Sequence, residues 1–152
     1  MSVDLVPSHP SHIAHLARDM REMDRVECRA MGHDPKAALR SARRRSLWSL
    51  TVIADGAPIA MLGLAALNLV EGTGVPWFLG TDAVYKQGRS FLVKGSAVIA
   101  HMRQTTPTLV NLVSVDNTPA IRLLQRWGFA IGGDRETHGG VEFLPFRISA
   151  YV

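Results

Sequence analysis

Three histidines near the amino terminus have a spacing that could bind a metal ion. His9, His12 and His15 follow one another at steps of three residues, and imidazole nitrogens are common zinc ligands. Successive steps of three rotate gradually around a helix, so the outer two side chains do not share one face. No second cysteine or paired carboxylate completes a known ligand spacing. We therefore expect an exposed helix surface here and predict no metal site.

A run of arginines offers a second kind of chemistry. A basic stripe in one predicted helix consists of Arg40, Arg43, Arg44 and Arg45. Such charges can neutralise nucleic-acid phosphates. No recognition motif accompanies them, and no aromatic residue is interleaved apart from Trp48. We interpret the stripe as a solvated helix face and expect no nucleic-acid partner. Binding of an acidic protein is an alternative between these two interpretations.

The composition limits the class of protein. The chain has 152 residues, of which 47% are hydrophobic and 20% charged, and a mean hydropathy of +0.08. Such a chain can form one domain, predicted here over residues 1–152, with a sizeable core. Its pI of about 9.8 and formal net charge of +4 favour anionic partners such as nucleotides or cofactor phosphates.

The sequence shows no sign of secretion or of membrane insertion. Cys28 is the only cysteine, which excludes an intrachain disulfide and a four-cysteine zinc site. The amino terminus lacks a basic segment followed by a long apolar core. The longest apolar stretch, residues 57–70, is too short to span a bilayer. We expect a cytoplasmic protein without membrane contact.

The elements that must position a site follow from the hydrophobic pattern. Before residue 46 it predicts a strand and three helices: Val3–Val6, a helix capped by Ser11, Glu22–Met31 and Lys36–Arg45. Two strands then meet at the hairpin signal Asp55-Gly56. The rest of the chain is predicted as a strand at 75–84, a helix at 90–103, a strand at 108–115, a short helix, and strands at 130–136 and 141–150.

The segment "VSVDNTPAIRLLQRWGFAIG", residues 113–132, carries the most specific pattern. A strand stops abruptly, a helix of about nine residues follows, and the chain turns back into strand. Asn117 or Thr118 can accept hydrogen bonds from the free amides of the helix start. Pro119 suits the first helical position, and Gly128 suits a left-handed exit. The pattern indicates a tight strand–helix–strand corner.

This corner resembles motif B of the GNAT superfamily of N-acetyltransferases. The matching residues are Asn117, Ala120, Ile121, Leu123, Gly128 and Phe129. The order of predicted elements from about residue 3 to 150 is similar as well. The resemblance implies an α/β (α+β) fold with a mixed, mostly antiparallel sheet of about six to seven strands flanked by helices. The fourth and fifth strands would be parallel and splay apart into a V.

The resemblance further implies acetyl-CoA as a cosubstrate. Its pantetheine arm would hydrogen-bond the splayed strand edge, and its pyrophosphate would lie at a helix start with nearby positive charge. The implied cofactor-binding residues are Leu79, Gly80, Thr81, Lys86, Gln87, Gly88, Arg89, Ser90 and Asn117. Strand amides near residues 79–81 would polarise the thioester carbonyl.

The implied reaction is acetyl transfer to an unknown amine. A general base must then reach the acceptor near the mouth of the V. Glu71, just after the long apolar strand, is the first candidate by topology, and His33 is the second. Ser114 and Asp116 on the fifth strand come third. We predict Glu71 and Ser114 as the catalytic residues.

Two features of the family pattern are absent. The phosphate loop, "YKQGRSFLVKGS", matches only in Gly88 and Ser90. The usual motif-B tyrosine, which protonates the departing thiolate, is replaced by Leu124, or by Leu123 in a shifted register. The tyrosines of this chain, Tyr85 and Tyr151, lie elsewhere in the sequence. Acid catalysis is therefore lost or supplied from another position.

A narrower resemblance concerns the GNAT-like small internal virion proteins of short-tailed phages. It is carried by "ECRAMGHDP", "WFLGTDAVY" and "VDNTPAIRLLQRWGF", chiefly through Gly32, Trp77, Phe78, Asp82, Asn117, Ile121 and Gly128. It implies a phage or prophage protein with phage partners and a virion location. The alternative to an enzyme is therefore a catalytically inactive GNAT-shaped scaffold. Homodimerisation through sheet edges stays open for either.

Overall fold

The structure, a computed structural model, describes residues 3–149. Its strands are β1 (Val3–Pro7), β2 (Ser46–Ala54), β3 (Ala57–Asn68), β4 (Thr73–Gly80), β5 (Thr108–Ser114), β6 (Ala130–Ile131), β7 (Glu136–His138) and β8 (Val141–Ile148). Its helices are α1 (Ser11–Arg18), α2 (Glu22–Ala30), α3 (Pro35–Arg45), α4 (Gly88–Thr105) and α5 (Thr118–Arg126), with a 3-10 turn at Asp82–Lys86.

One sheet of eight strands organises the described part of the chain. The strand order is β1-β2-β3-β4-β5-β8-β6, with β7 also paired to β8. Every neighbouring pair is antiparallel except β4 and β5. The predicted mixed, mostly antiparallel sheet with a parallel central pair is confirmed. It contains eight strands, one more than the six to seven predicted.

The parallel pair separates soon after it forms. β4 and β5 are paired only at Thr73 with Thr108 and at Gly74 with Leu109. Beyond these residues the two strands diverge towards their carboxyl ends, at Gly80 and Ser114. The predicted V is therefore present, closed near residue 73 and open near residue 80.

The two faces of the sheet carry separate cores. Helices α1 to α3 cover one face with a small cluster of Ile13, Leu16, Met20, Cys28, Leu39 and Met61. Trp77 and Leu79 pack against this cluster, whereas Phe78 packs against the larger cluster on the opposite face. Because side chains alternate along a strand, β4 contributes walls to both sides of the V.

Helix α4 and the Trp127 ring meet without space for a side chain between them. A Cβ atom added at Gly95 would lie 2.1 Å from Trp127 Cζ2. The indole Nε1 donates to the Leu92 carbonyl oxygen at 2.9 Å. This contact holds the end of α5 against α4.

Several predicted boundaries differ from the structure for local reasons. The third long strand ends at Gly80 instead of residue 84, because the chain turns into the 3-10 segment. Between residues 130 and 136 only Ala130–Ile131 and Glu136 are strand, since Gly132 and Gly133 both take positive φ. Ser11 is the first residue of α1, and its side chain does not cap the helix. The hairpin at Asp55-Gly56, both in the left-handed region, is confirmed.

Within residues 3–149 no helix is both long and apolar enough to cross a bilayer.

Candidate active site

A cavity of about 280 Å³ lies between the diverging strands β4 and β5. Its walls are mostly apolar and come from both faces of the sheet; they include Leu62, Trp77, Phe78, Leu79, Phe91, Val98, Leu112, Val113 and Trp127. At its inner end Asn111 Nδ2 donates to the Pro76 carbonyl oxygen at 2.7 Å, which bridges the two strands. Polar groups converge at the open end, near Gly80 and Ser114.

The first turn of α2 is attached to the end of β4. The Arg21 backbone amide donates to the Gly80 carbonyl oxygen at 2.9 Å. The Gly80 amide donates in turn to Asp24 Oδ2 at 2.8 Å. Arg21 Nη1 donates to Asp24 Oδ1, also at 2.8 Å, and both side chains are buried. Both carboxylate oxygens of Asp24 are thus occupied, which gives this residue a structural role.

The start of α5 joins the same network from the other side of the V. Asn117 Nδ2 donates to Glu27 Oε1 at 2.6 Å, and Asn117 Oδ1 accepts from Arg21 Nη2 at 3.3 Å. Only 2% of Asn117 is exposed. Its side chain therefore does not cap α5. The predicted cap is absent because the amide is used to hold Arg21 and Glu27.

Burial changes the protonation of the two carboxyl groups. Loss of hydration raises the pKa of Asp24 to about 6, although the Gly80 amide and Arg21 oppose this change. Loss of hydration also raises the pKa of Glu27 to about 7, against the hydrogen bond from Asn117. The neighbouring charge of Asp24 adds to the rise. Glu27 therefore exchanges a proton near neutral pH, as a general base must.

Tyr85 lies beside this network, in the 3-10 turn that follows β4. The Arg21 guanidinium carbon is 4.4 Å from the centre of the Tyr85 ring. Within residues 3–149 the Tyr85 hydroxyl has no hydrogen-bond partner, and the residue lines the cavity. Burial raises the pKa of Tyr85 to about 12. The hydroxyl stays protonated at neutral pH and is available to donate.

The backbone amides of β4 differ in their directions. The Thr81 amide donates to the Ile59 carbonyl oxygen at 2.9 Å, on the β3 side. Hydrogen-bonding direction alternates along an antiparallel strand, so the Leu79 amide also faces β3. The Gly80 amide faces the V but is taken by Asp24. The amide of Phe78 is left to face the open V. The Gly80 and Thr81 amides, which lie in the range predicted to polarise the thioester carbonyl, donate to Asp24 and Ile59 instead.

The predicted phosphate loop forms the start of α4. Lys86, Gly88, Arg89 and Ser90 are exposed, and Gln87 is half-buried. No side chain caps this helix of 18 residues. Its first amides and the positive end of its dipole therefore face solvent next to two cationic side chains. The arrangement fits a phosphate-bearing ligand.

Glu71 does not lie where the topology predicted. It is exposed in the turn between β3 and β4, where its amide donates to Asn68 Oδ1. Gly80 lies seven positions after Thr73 along β4, which corresponds to roughly 20 Å. Because β4 runs away from this turn, Glu71 sits at the closed end of the V and does not line the cavity.

The other base candidates have different environments. Ser114 is 1% exposed and its hydroxyl accepts from the Asp116 amide at 3.2 Å, so it supports the turn after β5. Asp116 is exposed. His33 is exposed and lines the cavity from the loop between α2 and α3. The structure therefore brings Ser114 and Asn117 together with the β4 edge and leaves Glu71 apart.

The sequence did not predict the polar residues of this network as site residues. They are Arg21, Asp24, Glu27 and Tyr85. A signal was present in α2. Asp24, Glu27, Cys28 and Met31 follow the spacing i, i+3, i+4, i+7 of a buried helix face. Two carboxylates occupy positions where apolar side chains are expected. Tyr85 carried no such signal, because only the fold brings the turn after β4 to the start of α2.

The amino-terminal histidines have individual partners. His12 Nδ1 lies 2.7 Å from Thr51 Oγ1, and the His15 ring is 3.5 Å from the Asp19 carboxylate. Within the described residues no group of three potential metal ligands is found. In the basic stripe, Arg43 Nε donates to Ser8 Oγ at 2.9 Å, while Arg45 lines the cavity.

Several solved structures with the same fold are N-acetyltransferases. A GNAT-family acetyltransferase from Bacillus anthracis superposes with a TM-score of 0.72 at 11% identity, over 100% of this chain and 97% of that one. Ribosomal-protein-alanine N-acetyltransferase from Brucella melitensis gives 0.69 at 14% identity, over 96% and 99%. Spermidine N-acetyltransferase from Vibrio cholerae, in complex with CoA and spermine, gives 0.65 at 12% identity, over 96% and 94%. The chain therefore has the GNAT fold.

Sequence comparisons add nothing to this assignment. No family model matches the chain, and no curated protein matches it at a significant level. The likeness thus lies in the fold and the order of elements, and the predicted virion role stays a prediction.

Proposed function

We propose that the protein transfers an acetyl group from acetyl-CoA to an amine. The observation that carries this proposal is the cavity between β4 and β5, which has Glu27 at its open end with a pKa of about 7. A splayed parallel pair exposes an unpaired strand edge inside a mostly apolar cleft. Such a cleft suits an extended amide-containing arm, and a carboxyl group that titrates near neutrality suits removal of an amine proton.

The proposed acetyl-CoA binding site extends from β4 to the start of α4. The pyrophosphate would lie at the uncapped start of α4, between Lys86 and Arg89. The pantetheine arm would run along β4, where the Phe78 amide faces the V. The solved structure of the Vibrio cholerae enzyme contains CoA, and its shared fold supports this choice of cosubstrate. Asn117, at 2% exposure, would act by holding Glu27 rather than by contacting the cosubstrate.

The reaction requires one proton acceptor and one proton donor. Glu27 takes the proton of the acceptor amine as its nitrogen attacks the thioester carbonyl carbon. The carbonyl oxygen becomes negative and can be stabilised by the Phe78 amide. When the carbon–sulfur bond breaks, Tyr85 gives its proton to the departing thiolate. Tyr85 thus replaces the motif-B tyrosine whose position is occupied here by Leu124.

Direct transfer is favoured over an acetylated enzyme. Cys28, whose thiol could form such an intermediate, lines the cavity. Burial raises the pKa of this thiol to about 12, and nearby Asp24 and Glu27 add to the effect. A thiol that stays protonated is a poor nucleophile. The amine therefore attacks the thioester itself.

The experiment that tests the proposal is calorimetry of acetyl-CoA binding at low and moderate salt. We expect micromolar binding that weakens with salt, because exposed cations contact the phosphates. Arg89→Ala and Lys86→Ala should each weaken binding. Arg122→Ala, which removes a cation from α5 instead, is the matched control and should bind normally.

Absence of binding at millimolar acetyl-CoA would overturn the proposal. That result would favour the other candidate, a GNAT-shaped scaffold without catalysis, with the phage context of the narrower resemblance. Binding without an effect of Arg89→Ala or Lys86→Ala would place the cosubstrate elsewhere in the cleft.

A further inference from the structure

Arg45 lies on the wall of the cavity and has no ion-pair partner among residues 3–149. The cavity is lined by two carboxyl groups, one imidazole and one guanidinium, in addition to the thiol and the phenol described above. These four residues are Asp24, Glu27, His33 and Arg45. The charge of Asp24 is balanced by Arg21. Within residues 3–149, Arg45 has no carboxylate at salt-bridge distance.

The known contacts of Arg45 leave most of its guanidinium free. Its Nε donates to the carbonyl oxygen and the hydroxyl of Ser41, one turn earlier in α3, at 3.3 and 3.1 Å. No hydrogen bond of its terminal nitrogens is present among the described residues. These nitrogens form a planar fork suited to a carboxylate or a phosphate. The side chain is exposed, so a ligand can reach it.

The fold places Arg45 away from Glu27 along the cavity. Arg45 ends α3, and the next residue, Ser46, accepts a hydrogen bond from Trp77 Nε1 at 2.6 Å. Glu27 lies instead near the open end, where Asn117 holds it. Trp77 and Gly80 are three residues apart on β4, which corresponds to about 10 Å. The two charged groups therefore lie at different positions along the cavity.

We propose that the acceptor carries a carboxylate in addition to its reactive amine. The proposal rests on the proposed function. Glu27 receives the amine, and Arg45 binds the carboxylate. Arg44, also exposed at the end of α3, adds positive potential at this end, which disfavours a polyamine.

The test compares peptides that differ in one charge. Amidated tripeptides with alanine first and aspartate, asparagine or lysine third are acetylated by the full chain, with release of the CoA thiol as the readout. We expect kcat/KM to be about 5- to 10-fold higher for the aspartate peptide than for the asparagine peptide. Arg45→Ala should remove this preference through KM and leave kcat unchanged. Arg44→Ala, a neighbour outside the cavity wall, should keep most of it.

Three results would overturn the proposal. The first is equal or better use of the asparagine or lysine peptide by the wild-type protein. The second is an Arg45→Ala variant that retains the preference. The third concerns the case in which acetyl-CoA binds but no peptide reacts. Binding of the aspartate peptide to the CoA-loaded protein is then measured by calorimetry. Absence of binding that depends on Arg45 would refute the inference. Failure to bind acetyl-CoA at all would instead refute the proposed function.

Discussion

Asn117 and Glu27, which are 90 residues apart in the chain, share a hydrogen bond of 2.6 Å across the V. The bond joins the start of α5 to the buried side of α2. A hydrogen bond from the Ser114 backbone amide to the Glu27 carboxylate, like that from Asn117, lowers the pKa of Glu27. Because Asn117 also accepts from Arg21, one amide orients both the candidate base and the cation beside Tyr85.

The pH dependence of turnover should report the protonation of Glu27. We expect kcat/KM to rise with pH through about 7, because only the ionised carboxylate can accept the amine proton. Tyr85, whose pKa is about 12, stays protonated over the assay range and should cause no decline. The acceptor amine titrates as well, so Glu27→Gln is the control. This variant should lose about 100-fold or more in rate and retain only the titration of the acceptor. A wild-type profile without an inflection near 7 would exclude Glu27 as the base.

The same substitution should make the protein more stable at alkaline pH. The folded-state pKa of Glu27 lies above its ordinary 4.5, so the folded protein favours the protonated carboxyl. The stability that this preference contributes is complete below about 4.5 and is lost as pH rises through about 7. Glutamine imitates the protonated form at every pH. Glu27→Gln should therefore exceed the wild type by about 2 to 3 kcal/mol at pH 8, with a smaller difference at pH 5.

Urea unfolding at the two pH values measures this difference. Glu22→Gln, an exposed residue of the same helix, is the matched control and should change little at either pH. An equal gain at pH 5 and pH 8 would show that the effect does not come from titration of Glu27.

Removal of the Tyr85 hydroxyl should affect catalysis without affecting folding. In Tyr85→Phe the ring over Arg21 is kept, and the deleted hydroxyl has no partner among residues 3–149. We expect kcat to fall about 10- to 100-fold and the free energy of unfolding to change by less than about 0.5 kcal/mol. Calorimetry should show unchanged acetyl-CoA affinity. An undiminished kcat would mean that water or another group protonates the thiolate.

Truncation of Asn117 should shift the pH profile as well as the stability. The hydrogen bond from Asn117 lowers the pKa of Glu27, so Asn117→Ala should move the rising limb of kcat/KM to higher pH. Loss of two buried hydrogen bonds should cost about 1 to 3 kcal/mol in unfolding free energy. Thr118→Ala, at the exposed neighbouring position, controls for a general effect on α5. A stability loss without any shift of the limb would limit Asn117 to a structural role.

The contact between Gly95 and Trp127 should tolerate no added methyl group. Although alanine favours helix over glycine by about 1 kcal/mol, the new Cβ would lie 2.1 Å from the indole. We expect Gly95→Ala to destabilise the protein by about 1 to 3 kcal/mol in urea unfolding. Ser96→Ala, exposed on the same helix, should be neutral or slightly stabilising. A stabilised Gly95→Ala would show that Trp127 moves freely.

Much of the architecture follows from local pattern in the sequence. The hairpin at Asp55-Gly56 and the left-handed exit at Gly128 depend on backbone conformations that few residue types adopt, and both are present. The apolar run of β3 predicts a strand covered on both faces, as found. Local pattern could not show that the strand after Gly74 ends at Gly80, because the α1–α2 corner takes up both backbone groups of that residue.

The candidate site depends on contacts that no local pattern contains. The sequence by itself determined the elements, their order and the splayed pair that the resemblance implied, because periodicity and turn residues act over a few neighbours. Only the tertiary structure decided which charged groups meet: it buried Glu27 against Asn117, brought Tyr85 beside Arg21 and left Glu71 at the closed end of the V. The physical reason is that burial and long-range hydrogen bonds set the protonation of a side chain. Both depend on residues that lie up to 96 positions away in the chain.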